Sequence, residues 1–327
     1  MSVNLFRSAG HFITAAIMAL TASVAVNAAE KNDGDTLRLL YWNIQNGMWA
    51  DQPNNYDNFV EWVKSYDPDV CVWCEAQTIY KDGTSEACDK SERYLTDNWG
   101  EVAARYGHRY WTKSGHRDNY PQVITSKYPI GKILDIIGEE PDSVVTHGAC
   151  HAYIEAGGKR INIVTLHTWP QAYAYRAEDR EASKANNEGD KYRRMEMEYI
   201  CNHTILREPQ ADGQYWMMMG DFNSRTPLDN WYYKYPDNDT RLMTQDYILR
   251  NTPYIDIIGK RFPGQFITTT AGKSRIDFVY CTEPLYNSIV NAYVVNDRYT
   301  IEPKFDEKTR FHFPSDHLPI LVAFKLK

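Results

Sequence analysis

Met217, Met218, Met219, Gly220, Asp221, Phe222, Asn223, Ser224 is the stretch that decides the architecture. The apolar run 215–219 reads as a buried strand, and it stops at a glycine followed by a carboxylate and a carboxamide in alternation. Along extended backbone alternate side chains share a face. The pattern predicts that Asp221 and Asn223 point the same way, so that an anionic oxygen and an amide donor converge on one spot. Such a pair suits an acid that binds metal or activates water, beside an amide that holds phosphate. Asp and Asn are also common turn formers, and the stretch by itself reads equally well as a polar turn after a core strand.

Working outward, the same arrangement recurs. The β-rich run 36–42 ends at Asn43, with Gln45, Asn46 and Gly47 following as a loop. Tyr56, Phe59, Val60, Val63 and Tyr66 fall at helical spacing, and Asp67, Pro68, Asp69 closes that helix before the strand 70–74, which ends on Glu75. A carboxylate directly after five apolar residues is costly unless it reaches water, a partner or a metal. A strand at 123–126 turns at Pro129, and a strand at 159–166 follows the Gly157, Gly158 turn and ends at His167. Downstream, a Gly- and Thr-rich loop leads into the strand 275–280, where Asp277 interrupts an apolar run and requires a His or a cation as partner. Ser315, Asp316 and His317 then stand directly ahead of the closing strand 320–324.

The rest of the chain is less specific. Residues 76–115 are polar and aromatic, with a helix expected near 91–106. The charged segment 176–207 is helix-prone, with Tyr192, Met195, Met197, Tyr199, Ile200 and Ile205 as its apolar face. Its Arg176, Arg180, Lys184, Lys191, Arg193 and Arg194 are read as a solvated face. The Tyr- and Asp-rich stretch 231–239 is read as a surface loop whose aromatics could stack on bases or sugars.

Composition bounds the answer. In residues 1–29, Arg7 is the only charged side chain, residues 12–26 are largely apolar, and Val26, Asn27, Ala28, Ala29 resembles a small-residue cleavage site. This is the pattern of an export signal, too short for a comfortable membrane span. Its removal takes the formal net charge from −7 to −8 and leaves about 298 residues, one catalytic domain over 30–327 with no linker or repeat to divide it. The acidic balance argues against a broad basic surface, yet it is compatible with a metal enzyme whose anionic ligands are offset by the bound cation. Six cysteines in an exported chain permit disulfides. Odd spacing puts Cys71 and Cys74 on opposite strand faces, which excludes a bridge between them, while Cys88 is free to pair with any of the other five.

Strand after strand thus delivers a polar group at its end: Asn43, Glu75, His167, Asp221, Asn223, Asp277, Asp316 and His317. Carboxylates and carboxamides with two imidazoles, and no thiolate cluster, make a hard, oxygen-rich set that suits Mg²⁺, Mn²⁺ or Ca²⁺ better than zinc. Hydrolysis at phosphorus uses these parts: a cation on the phosphoryl oxygens, a His held by an Asp to take a proton from water, and amide donors on the phosphate.

On these residues the chain resembles the endonuclease/exonuclease/phosphatase superfamily, or DNase I-like fold. The matching pieces are Tyr41, Trp42, Asn43; Asp67, Pro68, Asp69 through Cys74, Glu75; Thr165, Leu166, His167; Gly220, Asp221, Phe222, Asn223; Arg275, Ile276, Asp277; and Ser315, Asp316, His317. The resemblance implies a four-layered α/β sandwich of two packed mixed β-sheets with the site at one end. It implies Glu75 as principal metal ligand with Asn43 and Asp316 beside the metal, and His317 as general base oriented by Asp277. Asp221 and Asn223 would then position water and phosphate, and His167 would contact the phosphate and assist the leaving group. Where abasic-site repair members carry Asn-x-Asp, this chain has Asn43, Ile44, Gln45, which argues against a second carboxylate-bound metal and a repair role. Arg117, Asp118 and Asn119 fall where some members contact phosphate.

Three readings follow. The first is an exported, periplasmic or secreted, monomeric phosphodiesterase or nuclease with a phosphate-ester substrate, nucleic acid among the candidates. The second is a phosphatase or phosphodiesterase acting on a lipid head group, inositol phosphate or sugar phosphate, although no apolar hairpin stands out for lipid contact. The third is a catalytically silent binding protein, which the filled catalytic positions disfavour.

Overall fold

The computed structural model describes residues 35–80, 86–89, 91, 95, 98–115, 120–300, 304–305 and 312–327. The export segment 1–29 and Arg117, Asp118 and Asn119 lie outside the described residues. The strands are β1 Thr36–Asn43, β2 Val70–Cys74, β3 Tyr110–Ser114, β4 Gln122–Ser126, β5 Ile130–Ile136, β6 Ala149–Ala156 and β7 Lys159–His167. They continue with β8 Tyr215–Asp221, β9 Ile255–Asp256, β10 Asp277–Cys281, β11 Ile289–Val294, β12 Lys304–Phe305, β13 His312–Phe313 and β14 Ile320–Lys325. Two six-stranded sheets form, in the orders β11-β14-β1-β2-β4-β3 and β5-β6-β7-β8-β10-β9. Both are mixed: β1 runs parallel to β2 and β7 parallel to β8, and the remaining pairs are antiparallel.

Side-chain alternation along each strand assigns the layers. In β1, Leu37, Leu39 and Tyr41 enter the core between the sheets, with Ile161 and Ile163 of β7, Met217 and Met219 of β8 and Val279 of β10. Leu40 and Trp42 face the other way, into a second core capped by the helices Asp57–Tyr66 and Trp99–Arg105. Trp216, Met218, Phe278 and Tyr280 build a third core under the helices Glu188–His203 and Met243–Asn251. The order is helix, sheet, sheet, helix, the four layers that the resemblance implies. Each fully buried Leu, Met or Phe in these cores contributes about 1.5–3 kcal/mol relative to exposure. Gly220 is required by the close pairing of β8 with β7, since a Cβ there would sit 2.1 Å from the Leu166 carbonyl oxygen.

The same parity places the polar strand ends. Asn43 continues the inward series 37, 39, 41; His167 continues 161, 163, 165; Asp221 continues 217, 219; and Asp277 opens 277, 279, 281. Pairing sets His167 beside Asp221 across parallel β7 and β8, and Asp277 beside Asp221 across antiparallel β10 and β8. The last row of the inter-sheet core is therefore polar at one end.

Several expectations are corrected. Cys71 and Cys74 do fall in different cores, and all six cysteines are buried with no disulfide between any two of them. In the helix Glu188–His203, Met195 is 49 % exposed whereas Arg193 and Glu196 are buried. Arg193 therefore does not belong to a solvated face, because hydrogen bonds to the neighbouring loop outweigh the hydrophobic pattern. β3, β6 and β11 carry too little alternation in a polar or mixed context to be read from sequence. Among the described residues, no helix is long and apolar enough to cross a membrane.

Candidate active site

The amide of Asn43 joins the two sheets. Its Nδ2 donates to Glu75 Oε1 at 3.2 Å and to Asp221 Oδ2 at 3.2 Å, while its Oδ1 accepts from the Gln45 amide. Strand parity would send Glu75 toward the outer helices, because Cys74 faces inward. Instead Glu75 adopts φ +52°, an uncommon conformation for a non-glycine residue, and turns its carboxylate into the cleft. There Oε2 accepts from the Asn46 amide at 3.1 Å. Gly47 closes this loop against residue 78, where a Cβ would meet the Thr78 nitrogen at 2.6 Å. Gln45, at the third position of the first motif, gives its Oε1 to the His312 amide and the Trp49 indole, and so fills a structural role.

From the other sheet comes the most tightly held group. His317 Nδ1 donates to Asp277 Oδ2 at 2.7 Å, and Tyr41 Oη donates to Asp277 Oδ1 at 2.8 Å, so both oxygens of this buried carboxylate are committed. The His317 backbone is fixed as well: its carbonyl accepts from the Trp42 indole, and its amide donates to Ser315 Oγ. Ser315 Oγ in turn donates to the Asn43 carbonyl at 2.8 Å. With Nδ1 engaged, Nε2 faces the cleft, 3.6 Å from Asp221 Oδ2 and 3.8 Å from Asp316 Oδ1.

His167 lies on the far side of Asp221, with Nε2 3.8 Å from Asp221 Oδ2 and a buried Nδ1 that has no hydrogen-bond partner. Asn223 reaches the cleft by a different route from the one expected. β8 ends at Asp221, and Asn223 takes a left-handed φ of +47°, so strand alternation does not align the two. A local turn does: the Asn223 amide donates to Asp221 Oδ1 at 2.9 Å, and its Nδ2 donates to the Thr168 carbonyl at 3.0 Å. All eight residues singled out in the sequence converge at this end of the sandwich. Six line one cleft of about 680 Å³, Asn43 bonds directly to Glu75 and Asp221 among them, and Asp277 supports it from behind through His317.

Electrostatics separate the members. Burial, then the Asp316 carboxylate, raises Glu75 above its ordinary range. Burial and Asp277 push Asp221 up to about 7. His167 is held well below its usual value by burial and by the His147 and His317 rings, and is a neutral imidazole. For His317 burial acts downward, but the carboxylates of Asp277, Asp316 and Asp221 outweigh it and raise it well above normal. Acids that raise one another in a buried site are the signature of a place for a cation. Asp221, Asp277 and His317 offer ligand atoms within 4.8 Å of one another, yet Asp277 and Nδ1 of His317 are already spent on hydrogen bonds. Glu75 and Asp316 both face the cleft with Asn43 bonded beside them, the Glu75 oxygens held only by amide N–H donors, and this hard donor set fits a divalent cation.

Sequence reasoning missed the supporting wall. His147 stacks on His167 at 4.5 Å, Trp169 stacks on His147 at 6.1 Å, and Tyr120 meets both imidazoles edge-on. The wall is pinned by the helix behind it: Glu196 accepts from the Thr146 amide, the Thr146 hydroxyl and the Trp169 amide, and Arg193 donates to the carbonyls of Trp169 and Gln171. Burial raises Glu196 from 4.5 to about 7, against these donors. Tyr41 shares parity with Asn43 and could have been found that way. His147 and Tyr120 lie in loops whose sequence carries no periodic signal.

Comparison with known proteins accords with this arrangement. The profile of the Endonuclease/Exonuclease/phosphatase family matches residues 40–317. No curated protein matches the chain. Among solved structures, an AP endonuclease from Archaeoglobus fulgidus superposes with a TM-score of 0.57 at 18 % identity, covering 88 % of this chain and 99 % of its own. An endonuclease/exonuclease/phosphatase from Beutenbergia cavernae DSM 12333 gives 0.56 at 16 % identity, covering 89 % of this chain and 72 % of its own. A humanized D. rerio TDP2 gives 0.51 at 13 % identity, covering 89 % and 99 %. At these identities the likeness is one of fold.

Proposed function

The chain belongs to the Endonuclease/Exonuclease/phosphatase family of metal-dependent phosphoester hydrolases, and from that premise we propose an exported phosphodiesterase, residues 30–327 forming its catalytic domain, that cleaves with a water activated by His317 and Asp277. The observation that carries the reading is the 2.7 Å Asp277–His317 hydrogen bond, which aims Nε2 at the cleft between Asp221 and Asp316.

Nε2 accepts the proton of the attacking water, and Asp277 stabilises the imidazolium that forms. Asp221 sits 3.6 Å away, close enough to orient the same water and to share the proton's charge. Asn223 holds a phosphoryl oxygen, and the neutral His167 contacts the phosphate on the other side of Asp221 and assists the departing oxygen. Glu75 and Asp316, with Asn43 beside them, would hold a divalent cation, Mg²⁺ or Mn²⁺ or Ca²⁺, which would supply charge to the phosphoryl oxygens and offset Asp316, one of the carboxylates that raise His317.

The test is a panel of supercoiled DNA, RNA, sphingomyelin, inositol phosphates and bis-nitrophenyl phosphate, with Mg²⁺, Mn²⁺ or EDTA. Hydrolysis of at least one diester, lost in EDTA and restored by metal, is expected. Cleavage confined to monoesters would move the protein to the phosphatase reading, and no hydrolysis anywhere would leave the binding-protein reading.

A further inference from the structure

A second cleft, of about 730 Å³, continues from the first and shares Pro170, Asn223 and Ile276 with it. Three arginines line it, and two are neutralised within the fold. Arg193 bonds to Asp190 and to two backbone carbonyls, and Arg241 lies on the Asp239 carboxylate and over the Tyr235 ring. Asp190 is further occupied by the Thr240 hydroxyl at 2.7 Å, so neither acid of the cleft is left to serve another cation.

Arg225 is different. It stands two residues beyond Asn223, its backbone amide tied to the Arg241 carbonyl at 3.0 Å. Its guanidinium lies over the Tyr233 ring at 5.9 Å and no described carboxylate pairs with it, which sets it apart; its Nε, like that of Arg193, is buried without a hydrogen-bond partner. A guanidinium that lines a cleft without a carboxylate partner leaves charged donors for an anionic ligand, which its flexible side chain can turn to meet. Tyr233 is itself fixed, its hydroxyl accepting from the Arg275 amide at 3.1 Å, so the ring is a rigid floor under the charge.

We infer that Arg225 is the seat of a second phosphate group of the substrate, one bonded through further atoms to the phosphate that is cleaved beside Asn223. The inference rests on the phosphodiesterase reading for its orientation, since Asn223 links the two clefts. A planar guanidinium with Nε and a terminal nitrogen facing the same space is suited to bidentate contact with phosphate oxygens. Two sources share this chemistry: the next phosphate of a polynucleotide, and the further phosphate of a polyphosphorylated head group.

The experiment is calorimetric titration in EDTA, which prevents turnover, of the full protein with TpT, pTpT and TpTp, and with inositol 1-phosphate and inositol 1,4-bisphosphate. In the wild type the second phosphate should tighten binding about tenfold in one of the two arms, as expected for one charge-assisted pair. Arg225→Gln, which keeps the volume and removes the charge, should erase that gain while binding TpT or inositol 1-phosphate as before, and Arg225→Lys should keep part of it. The arm that shows the gain identifies the source. A second phosphate that adds nothing in either arm, or a gain that survives in Arg225→Gln, overturns the inference. Wild-type failure to hydrolyse bis-nitrophenyl phosphate with metal would instead sink the phosphodiesterase reading, and an Arg225-dependent gain would then stand as an anion site alone.

Discussion

Two buried charged clusters begin two residues apart, at Arg275 and at Asp277, and they are built on opposite principles. Arg275 is 1 % exposed and bonds Asp229 at 2.7 Å and Asp256 at 2.8 and 3.0 Å, so each acid there has a cation in direct contact. Around Asp277 the acids Glu75, Asp221 and Asp316 crowd a single imidazole that can be cationic, His317; burial and then Asp316 raise Glu75, and burial and then Asp277 raise Asp221. The first cluster is complete as folded and holds the loops together. The second is in deficit of positive charge, and the difference marks which of two equally buried polar networks is chemical rather than structural.

The comparison can be broken most severely at His317. Replacing it by Ala should lower phosphodiester turnover per folded molecule about 10³- to 10⁴-fold and, because it strands the buried Asp277, also lower the melting temperature; steady-state kinetics on folded protein beside calorimetry checks both, and retained activity would remove its role. Next in size, Arg275→Met should destabilise the fold by about 3–5 kcal/mol, because it strands Asp229 and Asp256 without their cation. Denaturant unfolding measures that loss, and turnover per folded molecule should survive. A catalytic collapse with unchanged stability would reverse the roles assigned to the two clusters.

A third, uncompensated acid sharpens the contrast. Glu196 is raised from 4.5 to about 7, so the folded state binds its proton more tightly than the unfolded chain. Its contribution is favourable at low pH and declines as pH rises from 4.5 through about 7, by about 3 kcal/mol at most. Glu196→Gln should flatten that limb of the stability profile, read by thermal melts across this range. Smallest, Mg²⁺ at a hundred times its dissociation constant should stabilise the wild type by about 2.7 kcal/mol. Glu75→Gln should lose most of that shift, lose activity, and melt no lower than wild type in EDTA.

Much of the site was legible because it is repetitive. Asn43, His167, Asp221 and Asp277 each extend an inward-facing series of apolar residues by one polar member, and period-two alternation can be counted in a sequence. Glu75 was found for a weaker reason, its place after a strand, and Asn223 from an alternation with Asp221 that the backbone does not keep. Both reach the cleft only through left-handed backbone at φ +52° and +47°, which alternation does not forecast. His147, Tyr120 and Trp169 were invisible, since each sits in an aperiodic loop and gains its position from Glu196, Arg193 and the stacked rings. Arg193 itself was read as a solvated helix charge and Glu196 was not singled out, and burial against distant carbonyls and amides is a property of the fold alone.

The order of the strands, their inward faces and the family's run of motifs were determined by the residues in line, because hydrophobic periodicity and local turn chemistry act over a few positions. Which of those polar ends share a hydrogen bond, which acid is left without a cation, and which arginine of three stays unpaired were decided only when the two sheets packed. Charge balance is summed over neighbours in space, and those neighbours lie as far apart in the chain as Asn43 from Asp221 or Tyr41 from Asp277.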